Sequence, residues 1–369
     1  MNQLFRWDQT GLFLLALAAG ILPFAVPEVC AAALREGLTL CSGPLLLSLF
    51  PFLVVSRLLI QCPESDLLAL PFRLAAWGIG IRTPCAARVL CIGFLGGFAP
   101  AASAAAQAVR TGQLTAEEAD ALLPACICSG PSFVVLTVGQ SLLGSAELGV
   151  LLFASQITAN YLTAALLNRF AGVRSVKPES AAPASPAPPR LDEILADAAI
   201  TYCKLCGFIL FFRMLAAGAG ALLPAGAGTL CSILLEVCSG CDLASRTGRW
   251  GSLLCCAALS VQGLSVLLQV RTICPPEMTL RPLYRARMLH LPLSLALFYL
   301  LLPGGEADVF STLPARILLM RRVPPDCALL VFAVCCMAAC TLRSGIRQVE
   351  QKQMARNAGG CCINSKTLL

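Results

Sequence analysis

Two apolar stretches are interrupted by residues that could bind a ligand. In "CICSGPSFVVLTVGQ" (Cys126 to Gln140), Ser129, Gly130, Pro131 and Ser132 set two hydroxyls beside a helix breaker. In "LSVQGLSVLLQV" (Leu259 to Val270), Gln262, Gly263 and Ser265 bring an amide and a hydroxyl to a similar break. Unwinding an apolar helix frees backbone N–H and C=O groups, and these, with neutral side-chain donors and acceptors, can hold a polar solute. The competing account is that each break only kinks a helix for packing.

A carboxylate supplies the sharpest single signal. Glu236 lies in "GAGTLCSILLEVCSGCDLA" (Gly226 to Ala244), next to Ser239, Gly240 and Asp242. An ionisable group at membrane depth is expensive and marks a contact with substrate, proton or ion unless the hairpin tip reaches water. Gln156, Asn160 and Gln269 offer further uncharged polar groups that line a path or bond helix to helix. Arg213, in "CGFILFFRMLAAG", either attracts an anion at depth or snorkels to the interface.

Other chemistries find little. Cys203/Cys206 and Cys238/Cys241 have the internal C-x-x-C spacing of zinc ligands, but they lie in apolar segments and His290 is the sole histidine. Small-residue packing accounts for them, and no metal or other cofactor is expected. No phosphate-binding loop, H-E-x-x-H helix or convergent titratable cluster is present, so the chain reads as a non-enzyme.

The elements that must position these residues follow from composition. The 369 residues are 57% hydrophobic and only 13% charged, with net charge +7 and mean hydropathy +0.79. Soluble domains carry about 25% charged residues, so the chain is an integral membrane protein whose first partner is the lipid bilayer. Its 21 cysteines fall largely inside apolar runs, where they act as small hydrophobes. The basic residues sit in short loops and form no aromatic-interleaved stripe, so no nucleic-acid partner is expected.

A bilayer core asks for about 20 apolar residues per helix. Runs of that kind fall near residues 11–34, 38–60, 124–144, 147–168, 201–223, 250–272 and 284–302, with a short one at 327–342. The fold expected is an all-α polytopic membrane protein of about eight transmembrane helices. Two interrupted stretches, "CIGFLGGFAPAASAAAQAV" (Cys91 to Val109) and the one around Glu236, read as re-entrant hairpins. The segment "TAEEADALL" (Thr115 to Leu123) has a capping box from Thr115 to Glu118 and reads as a short surface helix without chemistry.

The Pro/Ala/Ser-rich segment 171–191 is a cytoplasmic linker between two membrane halves, 1–170 and 192–342, with a basic cytoplasmic tail at 343–369. Each half carries a hairpin, then a broken helix, then a further span. Counting crossings from a cytoplasmic N-terminus makes the halves inverted repeats, an arrangement that builds substrate sites in many secondary transporters. The same count puts Arg271, Arg281, Arg285 and Arg287 on the cytoplasmic side and Arg321 and Arg322 outside.

Several motifs resemble, in order, those of the YlbJ-like sporulation integral membrane proteins: "LFPFLVVSRLL" (Leu49 to Leu59), "GFLGGFAPAAS" (Gly93 to Ser103), "EEADALL" (Glu117 to Leu123), "CSGPSFVVLTVG" (Cys128 to Gly139), "LLEVCSGCDLA" (Leu234 to Ala244) and "LSVQGLSVLLQV". The resemblance covers about residues 40–300 and implies a nucleoside-recognition (Gate) domain fold similar to concentrative nucleoside transporters. It further implies a transporter or facilitator of a small anionic solute, dipicolinic acid, moved from the mother cell across the outer forespore membrane. A coupling cation, proton or sodium, at Glu236 and a homo-oligomer are in keeping with it.

The chain departs from that family's "GYPxGAK" at Gly97 to Ser103, where Ser103 replaces the lysine, from "TNG" at Cys238-Ser239-Gly240, and from "FGG" at Val261-Gln262-Gly263. Arg88 and Arg213 are the candidates to compensate for the lost lysine. Other readings are transport of a nucleoside or another small metabolite, and a sporulation membrane scaffold that moves nothing.

Overall fold

The computed structural model describes residues 9–61, 65–171 and 191–302. The linker expected between the halves, the apolar run at 327–342, Arg321 and Arg322, and the basic tail lie outside these apart from the linker's two end residues. Among the described residues every regular element is helical, a form that satisfies backbone groups within each segment.

Among the described residues three helices are long and apolar enough to cross a bilayer: Ala146–Ala171, Leu191–Leu222 and Gly248–Ile273. Shorter apolar helices include Leu49–Ile60, Pro84–Gly96, Ser132–Leu142 and Ala225–Leu235. The apolar runs of the sequence therefore divide among long spans and paired shorter helices, and one run does not map to one crossing.

The N-terminal region corrects the expected spans. Helix α1 (Gln9–Ala25) and α2 (Pro27–Ser42) meet at a bend of 108°, so residues 11–34 are not one straight helix. Pro27 lacks an N–H and pushes Val26 out of helical geometry, to φ −139° and ψ 63°. A second break at Gly43 and Pro44 starts α3 (Pro44–Gln61), which splits the run expected at 38–60.

After two short helices, α4 (Ser65–Leu68) and α5 (Leu70–Gly78), one order of elements occurs twice. First come the hairpin α6 (Pro84–Gly96) and α7 (Phe98–Arg110), then α8 (Ala116–Cys126), a π-helical segment (Ser132–Leu142) and α9 (Ala146–Ala171). The long α10 (Leu191–Leu222) intervenes. Next come the hairpin α11 (Ala225–Leu235) and α12 (Val237–Ser245), then α13 (Gly251–Val261), α14 (Gly263–Ile273) and α15 (Arg281–Leu301).

Small residues allow this crowding. Helix α7 buries Ala99, Ala101, Ala102, Ala104, Ala105, Ala106 and Ala108, letting neighbouring backbones approach closely. A Cβ placed on Gly139 would sit 2.4 Å from Cα of Gly149, so the π-helical segment lies directly on the backbone of α9.

Helix α8 also differs from expectation. The capping box is present: Thr115 Oγ1 accepts from Glu118 N, and Thr115 N donates to Glu118 Oε2, both at 3.1 Å. The helix is nevertheless buried, with Glu118 and Asp120 at 4% and 6% exposure. It forms the first arm of the broken helix rather than a surface connector. Its Asp120 accepts from Thr279 N (2.8 Å), Thr279 Oγ1 (2.7 Å) and Leu280 N (3.0 Å), tying the first half to the start of α15.

Candidate functional site

In each half the break of the hairpin abuts the break of the split helix. The first hairpin turns at Gly97, with φ 80° and ψ −164°, a region that only glycine enters cheaply. A Cβ there would meet Gly130 N at 2.7 Å. In the second half a Cβ on Gly263 would meet Glu236 N at 3.0 Å. Gln262 holds a left-handed conformation, φ 66°, at a cost of about 1–2 kcal/mol for a residue bearing a Cβ. Its Nε2 donates to Leu259 O (2.9 Å) and Ser129 Oγ (3.4 Å), joining the two split helices.

Between the breaks lies a cleft of about 50 Å³ lined by Gly96, Ser129, Gly130, Ser132, Glu236 and Gln269, with Phe98, Phe133, Ile209 and Val266 among its apolar walls. That volume holds a water or two in this conformation. Four half-helices begin here: α7, the π-helical segment, α12 and α14. No side chain among the described residues caps α7, the π-helical segment or α14.

The fourth is capped by Glu236. Its Oε1 accepts from Cys238 N (2.8 Å), and its Oε2 from Ser239 N (2.7 Å) and Ser239 Oγ (2.9 Å). The carboxylate is 2% exposed and its acceptor capacity goes largely to the positive end of α12. So the residue expected to hold a coupling ion serves first as a helix cap, and Ser239 belongs to that cap. Gly240 packs instead on the backbone of Ile233, to which a Cβ would come within 2.8 Å.

Behind the cleft lies a polar core whose organiser the sequence reading misplaced. Arg287 does not face the cytoplasm; it is 8% exposed. Its Nη2 donates to Ile127 O (2.7 Å) and Asn160 Oδ1 (3.4 Å), and its Nη1 to Ser260 O (3.3 Å). Ile127 caps the end of α8, and Ser260 lies in the last turn of α13. One guanidinium thus satisfies carbonyls at the C-terminal ends of both first arms, where helix dipoles favour a cation. No carboxylate pairs with it among the described residues.

Asn160 Nδ2 also donates to Ile127 O (3.4 Å). Gln156 Nε2 donates to Ser260 Oγ (2.9 Å) and Cys256 O (3.3 Å), and Ser260 bonds Ser294 of α15. His290 Nε2 sits 3.2 Å from Gln156 O. Asn160 and Gln156 therefore brace the breaks from behind and do not line the cleft. The signal for this core in the sequence is the spacing Arg287, His290, Ser294, which puts three polar groups on one face of α15.

Several expected groups lie elsewhere. Arg213 Nη2 pairs with Glu36 of α2 at 2.6 Å and lines neither this cleft nor the one described next. Arg88 is held by Ile60 O (2.7 Å), Gln113 Oε1 (2.8 Å) and Asp66 (3.2 Å), so neither arginine stands in for a lysine at position 103. Pro131 starts the π-helical segment with φ −59° and does not face the cleft. Cys203, Cys206, Cys238 and Cys241 are free thiols, and no metal-binding cluster occurs among the described residues.

A second cleft of about 170 Å³ lies between α3, α7, α10 and α14, with Ser103 and Gln269 in its wall. Gln269 lines both clefts. It is 2% exposed; its Nε2 donates to Ser265 Oγ (2.9 Å), while its Oε1 has no partner among the described residues. Comparison of the chain with family models, with characterised proteins and with solved structures yields no match.

Proposed function

We propose that the chain is a secondary transporter or facilitator for a small anionic solute, bound where two hairpins and two split helices meet. The observation that carries this reading is the set of uncapped helix N-termini at α7, the π-helical segment and α14 around one cleft. Such ends favour negative groups. The α12 end beside them already holds a carboxylate, that of Glu236, through two N–H groups and a hydroxyl.

Gln269 fits the same role. The Ser265 hydroxyl can donate as well as accept, so rotating the amide keeps that bond and turns the NH₂ towards the cleft. The neutral lining of Ser129, Ser132 and Gln269 leaves room for an uncharged polar metabolite as the second reading.

Alternating access is supported by the connections. Short loops put the ends of the α6–α7 hairpin on the side where α9 ends, and the larger cleft sets Arg110 at the end of α7 against Asp197 and Lys204 in the first half of α10. The ends of the α11–α12 hairpin fall on the side where α10 ends. The two halves would then be inverted, as in transporters built from inverted repeats. The first side carries Arg57, Arg82, Arg110, Arg169, Arg271, Arg281 and Arg285, the other Arg246 and Arg249. The positive-inside rule makes the first side cytoplasmic.

Dipicolinic acid, named by the resemblance of the motifs, is the substrate we propose, with export from a mother cell across the outer forespore membrane as its setting. Calorimetric titration of the purified protein with dipicolinate and with its uncharged dimethyl ester tests the charge preference. Binding of the diacid alone, weakened by Gln269→Glu, is expected; equal binding of the two would favour the neutral metabolite.

A further inference from the structure

The larger cleft is charged in a way the central site is not. Its wall carries Arg57, Arg110 and Lys204 against a single acid, Asp197, which leaves two positive charges uncompensated. Arg57 is ion-paired with Asp197, its side chain 11% exposed and that of Asp197 60% exposed. Arg57 Nη2 also reaches Thr201 Oγ1 at 3.4 Å. Arg110 and Lys204 are exposed and form no ion pair among the described residues. Arg57 is therefore a guanidinium fixed on a cavity wall whose present partner is an exposed, exchangeable carboxylate.

The location suits an aqueous approach. Helix α10 has 32 residues, so at 1.5 Å per residue it runs about 48 Å, longer than a hydrocarbon core of about 30 Å. Asp197, Thr201 and Lys204 lie in its first half, before the apolar run that starts at Leu205. At its inner end the cleft reaches Gln269, whose partnerless Oε1 is buried and whose side chain also lines the central cleft. At about 170 Å³ it is smaller than the roughly 300–1,000 Å³ of drug-sized pockets.

We infer that this cleft is a separate docking station for a small soluble dianion, which takes Arg57 from Asp197 and is held by Arg110 and Lys204 before passing Gln269. The binding itself is independent of the transport reading; only the later passage past Gln269 rests on it. A concave site of two excess positive charges concentrates anions about ten- to a thousandfold. Bidentate pairing with a carboxylate or phosphate is what a fixed guanidinium offers. An anionic lipid headgroup shares that chemistry, but the cleft wall includes buried Ser103 of α7 and Gln269 of α14.

The test is accessibility of a cysteine at Thr272, an exposed position in the cleft wall, in the full chain with Cys203→Ser as the parent, whose own labelling is subtracted, reconstituted in phosphatidylcholine vesicles. Thr272→Cys should react about tenfold faster with an anionic methanethiosulfonate than with a cationic one, after correction for their rates with a free thiol. The excess should fall in 1 M salt and in each of Arg57→Gln, Arg110→Gln and Lys204→Gln. Pyridine-2,6-dicarboxylate or phthalate should protect the thiol; benzamide should not. Asp197→Asn should strengthen protection severalfold. Thr201→Cys gives the same readout should Thr272→Cys fold poorly.

No charge preference and no protection would overturn the inference. So would protection by phosphatidylglycerol vesicles without added dianion, which would make the occupant a lipid. Protection without any uptake leaves the station standing and removes the transport reading; uptake without protection does the reverse.

Discussion

Replacing Gly97 by alanine should be among the most damaging single-methyl changes in the protein, and its cost can be worked from two separate sources. At φ 80° and ψ −164° an alanine backbone is strained by about 1–3 kcal/mol. The new Cβ would lie 2.7 Å from Gly130 N and 3.0 Å from Gly130 Cα, and forcing two backbones apart in a packed interior costs about 1–3 kcal/mol more. The expected loss is about 2–6 kcal/mol.

Two controls separate the parts. Gly112 also has positive φ, 70°, but nothing lies within 4 Å of its Cβ position, so Gly112→Ala should cost about 1–2 kcal/mol from strain alone. Gly130 meets its nearest atom at 3.4 Å without positive φ, so Gly130→Ala should cost under about 1 kcal/mol. Reversible unfolding in mixed micelles, followed by helical circular dichroism, measures all three. If Gly97→Ala and Gly112→Ala cost the same, hairpin and split helix do not touch at their breaks, and the site as described does not exist.

Other consequences follow from the same geometry. Arg287→Met leaves Ser260 O without its donor and weakens the tie at Ile127 O; at about 1–3 kcal/mol per orphaned group, set against relief from burying a cation, a net loss of about 1–4 kcal/mol should appear as a lower unfolding midpoint. Glu236→Gln keeps the shape of the α12 cap but removes its charge, and should cost about 1–2 kcal/mol, with faster amide exchange at Cys238 and Ser239. Asp120→Ala removes three acceptor contacts that join the halves and should expose the 274–280 loop to proteolysis.

What the sequence disclosed and what it hid have physical reasons. The order hairpin, split helix, long helix was legible in each half because Gly97, Ser129-Gly130-Pro131 and Gln262-Gly263 are breakers set in apolar runs. Glu236 stood out because a carboxylate in an apolar segment is costly. Its work as a cap did not, since glutamate is an unusual N-cap and the pairing with Ser239 depends on where the turn falls.

Arg287 was hidden by its neighbours: in "RPLYRARMLHL" a basic cluster reads as a loop-facing topology signal, and only the helical register of α15 turns that residue inward. The bend at Pro27 was available in the sequence, but hydropathy averaged over a window smooths it away. The basic cleft draws its charges from α3, α7 and α10, far apart in sequence, so no linear motif announces it.

The central claim is tested most directly by flux. The native protein and Gln269→Glu, reconstituted at equal density in liposomes, are given radiolabelled dipicolinate with and without a proton or sodium gradient. The charge placed in the central cleft should repel the solute by about 4 kcal/mol at 4 Å in a medium of effective dielectric about 20. Saturable uptake by the native chain and at least a hundredfold loss of apparent affinity in the variant are predicted. Equal uptake by both would contradict an anion-binding site at the helix breaks, and no uptake under any gradient would contradict transport itself.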